Sequence, residues 1–370
     1  MRFWILSVTI LLVAGGEAVA QLPPSSYFTI VPGDVPILLT APHGGTLSYP
    51  FPPRSCTGSE TCVLDTNTRL LAPQASDDFF ALTGKRPYLI VAQGHREYID
   101  LNRDKAASPN NAFSNPAAEP FYDFYHDAVQ GFIDDIQSQY GRGLLLDIHG
   151  QSAQPGDILR GTKDGLTASD LIQEFGSDPS LNGPNSILGS LDALGYSVDP
   201  DASIPFADQV EVPGYNGGYT VQAYGSHQAS GMDAIQLEFG IDYRGGSAWE
   251  ATAADLAIAM RDFYGAYLAQ QPGDFNGDGA TDGSDFLTWQ RGFGLSSGAT
   301  ITDGDANGDT LVNGDDLPIW KNHFGSSASG LASAAAVPEP SSLVLLFCGL
   351  IPSRQFGRRN LLPSKLGRGK

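Results

Sequence analysis

Residues 143–151 read GLLLDIHGQ. Apolar residues from Leu144 to Leu146 lead into Asp147, Ile148 and His149, and the run stops at Gly150. A run this short, bounded by glycines, has the form of a strand buried on both faces. Three further stretches share it: VPILLTAPHGG (35–45), RPYLIVAQGH (86–95) and MDAIQLEFG (232–240). Between them, AEPFYDFYHDAVQGFIDDIQSQY (118–140) and SAWEATAADLAIAMRDFYGAYLAQ (247–270) repeat apolar residues at helical spacing. Strands alternating with helices predict one α/β domain over 22–270, with a largely parallel sheet between helical layers. In such sheets ligands bind at the carboxyl ends of the strands, so the polar residues there are the candidates for chemistry.

Composition narrows the setting. The 370 residues carry 41 acidic and 21 basic side chains, a formal net charge of −20, and are 41% hydrophobic. That balance suits a globular protein and argues against nucleic acid or an anionic membrane surface as partner. The amino-terminal MRFWILSVTILLVAGGEAVAQ places Arg2 before an apolar run that ends in Ala18-Val19-Ala20. This is the pattern of a cleaved signal peptide over 1–20, and it predicts export to the cell surface or the medium. The alternative is an uncleaved anchor, but the run falls short of the ~20 residues a spanning helix needs. In an exported chain, Cys56 and Cys62 around a short polar loop read as a local disulfide rather than a zinc site, and Cys348 lies in an apolar tail.

Beyond residue 272 the composition changes. DFNGDGATDGSDFLTWQRGFG (274–294) and DANGDTLVNGDDLPIWKNHFG (305–325) are two copies of one pattern. Asp274, Asn276, Asp278, Asp282 and Asp285 occupy loop positions one, three, five, nine and twelve of the first copy, with Gly279 at the turn. Asp305, Asn307, Asp309, Asn313 and Asp316 repeat them, with Thr310 in place of the turn glycine. Alternate oxygen ligands closed by a carboxylate at a helix start suit Ca²⁺; a merely solvated acidic loop is the plainer reading. The pair resembles a type I dockerin over 273–325, which implies a small helical calcium-loop module that binds a cohesin-like partner. A small-residue linker follows (326–337). Residues 338–360 resemble a PEP-CTERM sorting signal, with Pro338-Glu339-Pro340, an apolar stretch over 343–351 and Arg354, Arg358 and Arg359. That resemblance implies handling by exosortase-type machinery. Pro352 and the tail beyond the arginines depart from the pattern.

Four strand-end clusters in the large domain hold polar residues that packing does not need: His43; Arg96, Asn102 and Arg103; Asp147 and His149; and Glu238. Two imidazoles and a carboxylate can bind Zn²⁺ and leave a position open for water, and a separate Glu can move the proton. Side chains two apart on a strand share a face, so Asp147 can orient His149. Taken alone, a strand-end His is more often a hydrogen-bonded structural residue.

In order, PHGG, REYIDLNR, DIHG and GGYTVQAYG with IQLEFG resemble the N-formylglutamate amidohydrolase family, related to the zinc carboxypeptidases. The resemblance spans about 29–268 and implies a three-layer α/β/α sandwich around a mixed, mostly parallel sheet. It also implies that His43 and His149 bind zinc and Glu238 is the general base. Arg96 then stabilises the oxyanion, and Asn102 and Arg103 hold the carboxylate of a small amide substrate. The carboxypeptidase pattern places a zinc Glu three residues after the first His, where this chain has Thr46. Asp65 in LDTNTRLLA is the expected replacement, with Glu60 second and a helix-capping role for Asp65 as the alternative. His227, Gly217 and Gly218 are each as well explained by structure as by substrate, Arg160 is read first as a surface or ion-paired residue and second as a substrate contact, and His95, His126 and His323 are not expected ligands. Competing readings are a non-catalytic surface scaffold organised by the calcium loops, and a glycoside hydrolase, which would need paired strand-end carboxylates.

Overall fold

The computed structural model describes residues 22–56, 61–105, 111–269, 273–277, 279–307 and 309–326. The expected signal peptide (1–20), Glu60, Asp278, all but Ser326 of the 326–337 linker and the sorting segment (338–360) lie outside the described residues. The chain divides into Met1–Ala328 and Ser329–Lys370, and the described residues all belong to the first unit.

Seven strands form one mixed sheet: β1 (Phe28–Val31), β2 (Val35–Ala41), β3 (Pro87–Ala92), β4 (Leu144–Gln151), β5 (Asp157–Gly161), β6 (Ser197–Asp199) and β7 (Asp233–Gly240), in the order β1-β3-β2-β4-β7-β5-β6. The central strands β3, β2, β4 and β7 are parallel. The antiparallel joins are β1 to β3 and β5 to β7. The helices of the large domain are α1 (Thr68–Thr83), α2 (Glu119–Tyr140), α3 (Ser169–Phe175), α4 (Ile187–Ala193), α5 (Tyr219–Tyr224), α6 (Ile241–Arg244) and α7 (Ala248–Phe263). Two more follow, α8 (Gly283–Gly292) and α9 (Leu317–His323). Among the described residues no helix is long and apolar enough to cross a membrane.

The period of two in a strand sorts the core. Ile37 and Leu39 of β2, Leu144, Leu146 and Ile148 of β4, and Ile235, Leu237 and Phe239 of β7 pack with α1, α4 and α7 on one face. Leu38, Leu145 and Ala234 point the other way, onto the Phe121, Tyr125, Val129, Ile133 and Ile136 stripe of α2. Burying one such Leu, Ile or Phe is worth about 1.5–3 kcal/mol, so both layers are held firmly to the sheet. The expected α/β/α architecture is the observed one. The second face changes character along the strands: beyond Leu38, Leu145 and Ala234 come Thr40, Asp147 and His149, Gln236 and Glu238, all buried. The polar end of that face is where the site forms.

One local expectation is corrected. Gly150 does not break the strand: β4 continues to Gln151, with Gly150 opposite Phe239. Its role is to admit Arg244, since a Cβ there would lie 2.2 Å from the Arg244 Nε.

Candidate metal centre

The loops leaving β2, β3, β4 and β7 converge. His43 sits just past β2, Asp65 in the turn before α1, and Arg96, Asp100, Asn102 and Arg103 in the segment after β3. His149 and Glu238 are neighbours across β4 and β7, matched in register and therefore on one face. All eight are placed by main chain at the carboxyl end of the parallel strands.

His43, Asp65 and His149 each offer one ligand atom, and these atoms lie within 4.8 Å of one another. Asp65 Oδ2 is 3.5 Å from His43 Nδ1 and 3.3 Å from His149 Nδ1. The opposite ring atoms are engaged by carboxylates: His43 Nε2 by Asp100 Oδ1 at 2.7 Å and His149 Nε2 by Asp147 Oδ2 at 2.8 Å. With each Nε2–H given to a carboxylate, Nδ1 is the ring atom that both histidines turn toward Asp65 and would offer to a metal. The fit to a metal is local and physical. Among the described residues His43 Nδ1 is buried with no hydrogen-bond partner, and two imidazoles with one carboxylate are a zinc donor set.

Asp65 does not cap α1. Asn67 is the residue at that cap, while the Asp65 carboxylate accepts from Gly150 N–H at 3.1 Å and from Arg96 at 3.3 Å. Burial acts to raise its pKa, but the hydrogen bond with His149 and the charges of His43 and Arg96 outweigh it and hold it below the usual carboxylate range. Asp100 is likewise depressed: burial opposes ionisation, and the charges of His43 and Arg96 overcome it. For His149, burial works against the charged form, and the Asp147 charge and hydrogen bond prevail and raise the pKa. Glu238 goes the other way. Burial pushes it up to about 7, with His149 and Arg96 only partly opposing, which suits a group that takes and returns a proton near neutrality.

The cluster opens into a cavity of about 400 Å³ lined in part by Arg96, Arg103, Tyr215, Glu238 and Arg244. Its arginines differ in how much of their hydrogen bonding is spent. Arg96 lies between Asp65 and Asp100, at 3.3 and 2.8 Å. Arg244 donates to the carbonyls of Phe239, Thr66 and Gln151. Among the described residues Arg103, whose side chain is 39% exposed, gives one hydrogen bond, to the Asn102 carbonyl, and lies 4.0 Å from Asp100, which leaves most of its donors for a ligand. Asn102, expected beside it at the substrate, lines the same cavity, and its amide is bonded within the protein. Its Oδ1 accepts from Thr220 N–H at 2.7 Å, and Nδ2 lies 3.4 Å from Gln236 Oε1 and 3.2 Å from His149 Nε2. Gly218 is built around that amide, because a Cβ there would lie 2.2 Å from Asn102 Nδ2.

The remaining candidates stand apart. Arg160 is fully buried and paired with Glu211 at 3.0 Å. His227 does not line the cavity; His126 bonds Tyr224, His95 accepts from Glu97 N–H, and His323 donates to the Ile319 carbonyl. Three residues escaped the sequence reading. Asp100 and Gln236, which donates to Glu238 Oε1 at 2.9 Å, each precede a chosen residue by two, a spacing that signals a shared environment. Arg244 gave no such signal.

The carboxyl-terminal copies form two loops of one design. Asp285 accepts from Phe275, Asn276 and Asp282 N–H groups, and Asp316 accepts from Ala306, Asn307 and Asn313 in the same way. Asp274 and Asp305 accept from the turns of their own loops. Each helix lends its Trp to the other loop, Trp289 Nε1 to the Asn313 carbonyl and Trp320 Nε1 to that of Asp282, over a small core with Phe275 and Val312. Thr310 takes φ 67°, the left-handed turn that Gly279 makes at φ 81°.

Fold and site together define an α/β protein with a buried His/Asp/His cluster able to hold a metal, and a carboxylate of raised pKa beside it. No family model matches the chain, and no curated protein matches its sequence. Among solved structures it is similar to an N-formylglutamate amidohydrolase from Ralstonia eutropha JMP134, at 17% identity and TM-score 0.44, over 64% of this chain and 96% of that one. A gene product of Agrobacterium tumefaciens matches at 15% identity and TM-score 0.43, over 65% and 95%. A bacteriophage poly-gamma-glutamate hydrolase matches at 14% and 0.33, over 64% and 89%. At these values the likenesses leave the chemistry to be argued from the site's own residues.

Proposed function

We propose that the large domain is a zinc-dependent amidohydrolase that cleaves an N-acyl or peptide-like amide beside a free carboxylate. The observation that carries this reading is the meeting of His43 Nδ1, Asp65 Oδ2 and His149 Nδ1 in one cavity with Glu238 and an arginine of open bonding capacity. His43, Asp65 and His149 would hold the zinc, which when bound supplies Lewis-acid chemistry to the scissile carbonyl and the attacking water. Glu238 takes a proton from that water and returns it to the leaving nitrogen. Arg103 pairs with the substrate carboxylate, a task that suits a guanidinium's two parallel donors. Asn102 lines the same cavity beside Arg103, with its amide oriented by Thr220 N–H. Arg96 lends fixed positive charge where the carbonyl oxygen gains negative charge, and Asp65 and Asp100 keep its guanidinium in place.

The proposal includes export by the 1–20 segment and a surface or extracellular setting. It further includes Ca²⁺ in both carboxyl-terminal loops, a cohesin-like partner for them, and handling of the 338–360 segment by sorting machinery. Support for calcium is the burial of the Asp274, Asp285, Asp305 and Asp316 carboxylates at the centres of the repeated loops.

The test is a pair of measurements on the purified mature chain. It should take up about one zinc in the large domain, and Glu238→Gln should retain that zinc while losing hydrolysis of N-acyl amino acids and short peptides. Zinc uptake with no hydrolysis across such a panel would favour the scaffold reading. Glu238→Gln hydrolysing like the parent would remove the base.

A further inference from the structure

The strands carry a second polar row directly behind the cluster. Thr40, Asp147 and Gln236 are register partners across β2, β4 and β7, two residues back from His149 and Glu238. All three are buried, and the next row back on this face is the apolar Leu38, Leu145 and Ala234. A hydroxyl at Thr40 has no packing advantage over a methyl, and placing it in a dry row is unfavourable unless it has a partner. Its partner is Asp147: Thr40 Oγ1 donates to Asp147 Oδ1 at 2.7 Å, and the other oxygen, Oδ2, is the one that receives His149 Nε2 at 2.8 Å.

The two histidines are braced differently. Asp100, behind His43, has Arg96 at 2.8 Å and two further guanidinium groups, of Arg54 and Arg103, at 3.8 and 4.0 Å. Asp147, behind His149, has no such company: among the described residues its ion-pair partner is His149 itself. Among the described residues, its carboxylate is bonded by His149 and by one hydroxyl from the neighbouring strand.

We propose that Thr40 is a positioning residue of the metal centre. By holding Asp147 with one oxygen toward His149, it keeps the imidazole in the tautomer and ring orientation that turn Nδ1 to the metal. The proposal rests on the zinc reading above and deepens it. Carboxylates that orient a metal-bound histidine typically change affinity 10- to 100-fold when altered, and a residue that aims such a carboxylate acts through it.

The experiment measures zinc dissociation constants of the full mature chain by competition with a chromophoric chelator, with thermal unfolding recorded for each variant. Thr40→Val preserves shape and removes the hydroxyl; zinc binding should weaken about tenfold or more. Thr40→Ser restores the hydroxyl and should bind within about twofold of the parent. Asp147→Asn should weaken zinc at least as much, and the double variant Thr40→Val, Asp147→Asn should bind no more weakly than Asp147→Asn alone, since both act along one path. Thr40→Val binding zinc as tightly as the parent overturns the proposal, as does a Thr40→Val loss that persists in full in the Asp147→Asn background. Should Thr40→Val fold poorly, the Asp147→Asn and Thr40→Ser constants decide: Thr40→Ser at parental affinity with Asp147→Asn weakened supports the proposal, and any other pairing overturns it. A parent chain that takes up no zinc overturns both this proposal and the reading beneath it.

Discussion

Asp100 makes the most demanding prediction, because its single charge holds together groups that the sequence spreads over sixty residues. It is 1% exposed. One oxygen meets His43 Nε2 at 2.7 Å, and the other meets Arg96 at 2.8 Å with Arg54 3.8 Å away. Asp100→Asn is nearly isosteric and removes that charge, leaving the buried Arg96 guanidinium with one carboxylate, Asp65, in place of two. Breaking a buried pair from one side costs about 3–5 kcal/mol, and the lower end is expected because Arg96 keeps Asp65 at 3.3 Å. The sign of the pH dependence follows from the depressed pKa of Asp100. Its stabilisation is present above the unfolded-state value of about 4 and is lost as pH falls through the lower folded-state value. Urea unfolding followed by circular dichroism should therefore show the variant about 3 kcal/mol less stable at pH 7, with the gap narrowing below about pH 4. Zinc affinity should also fall, by about tenfold, since His43 loses the carboxylate that orients it. A stability loss under about 1 kcal/mol at pH 7, or a gap that does not change with pH, would refute the claim that this charge organises the cluster.

Asp233 offers the opposite sign. Burial pushes its carboxyl up to about 6, with bonds from Leu171 N–H and Ser226 only partly opposing. The folded chain therefore holds a proton the unfolded chain has lost, and stability declines as pH rises from about 4 to 6, by up to about 3 kcal/mol in all. Asp233→Asn keeps the acceptor, so it should flatten that decline in urea unfolding series; parallel curves for parent and variant would count against the assignment. Thr310, a β-branched residue at φ 67°, carries strain of about 1–2 kcal/mol that glycine lacks, partly offset by the greater freedom of glycine when unfolded. Thr310→Gly should tighten calcium binding by the second loop severalfold in titration calorimetry, and unchanged affinity would argue that the turn is unstrained.

The strand pattern around GLLLDIHGQ was sufficient for the four central strands, because burial on both faces leaves an apolar run that needs no context to be recognised. α2 and α7 were legible for the same reason at helical period. β1, β5 and β6 were not. They are short edge or near-edge strands of three to five residues, and α1 carries Pro73 inside it, which interrupts the local signal although the helix accommodates it. At the site, His43, Asp65, His149 and Glu238 could be nominated from strand-end position and motif order. Their geometry could not, because each arrives on a different strand or turn.

What the sequence determined by itself, then, is whatever depends on the chain's own period and spacing: the α/β layering, the side-chain alternation that puts Asp147 beneath His149, and the doubled loop pattern after residue 272. Tertiary structure alone decided the rest. It joined Asp65 to both histidines, gave Asp100 to His43, tied the Asn102 amide to Thr220, and set Thr40 behind Asp147 at a separation of 107 residues. The physical reason is that a hydrogen bond or ion pair depends on distances of a few ångströms between strands, which register across the sheet sets and local sequence does not record.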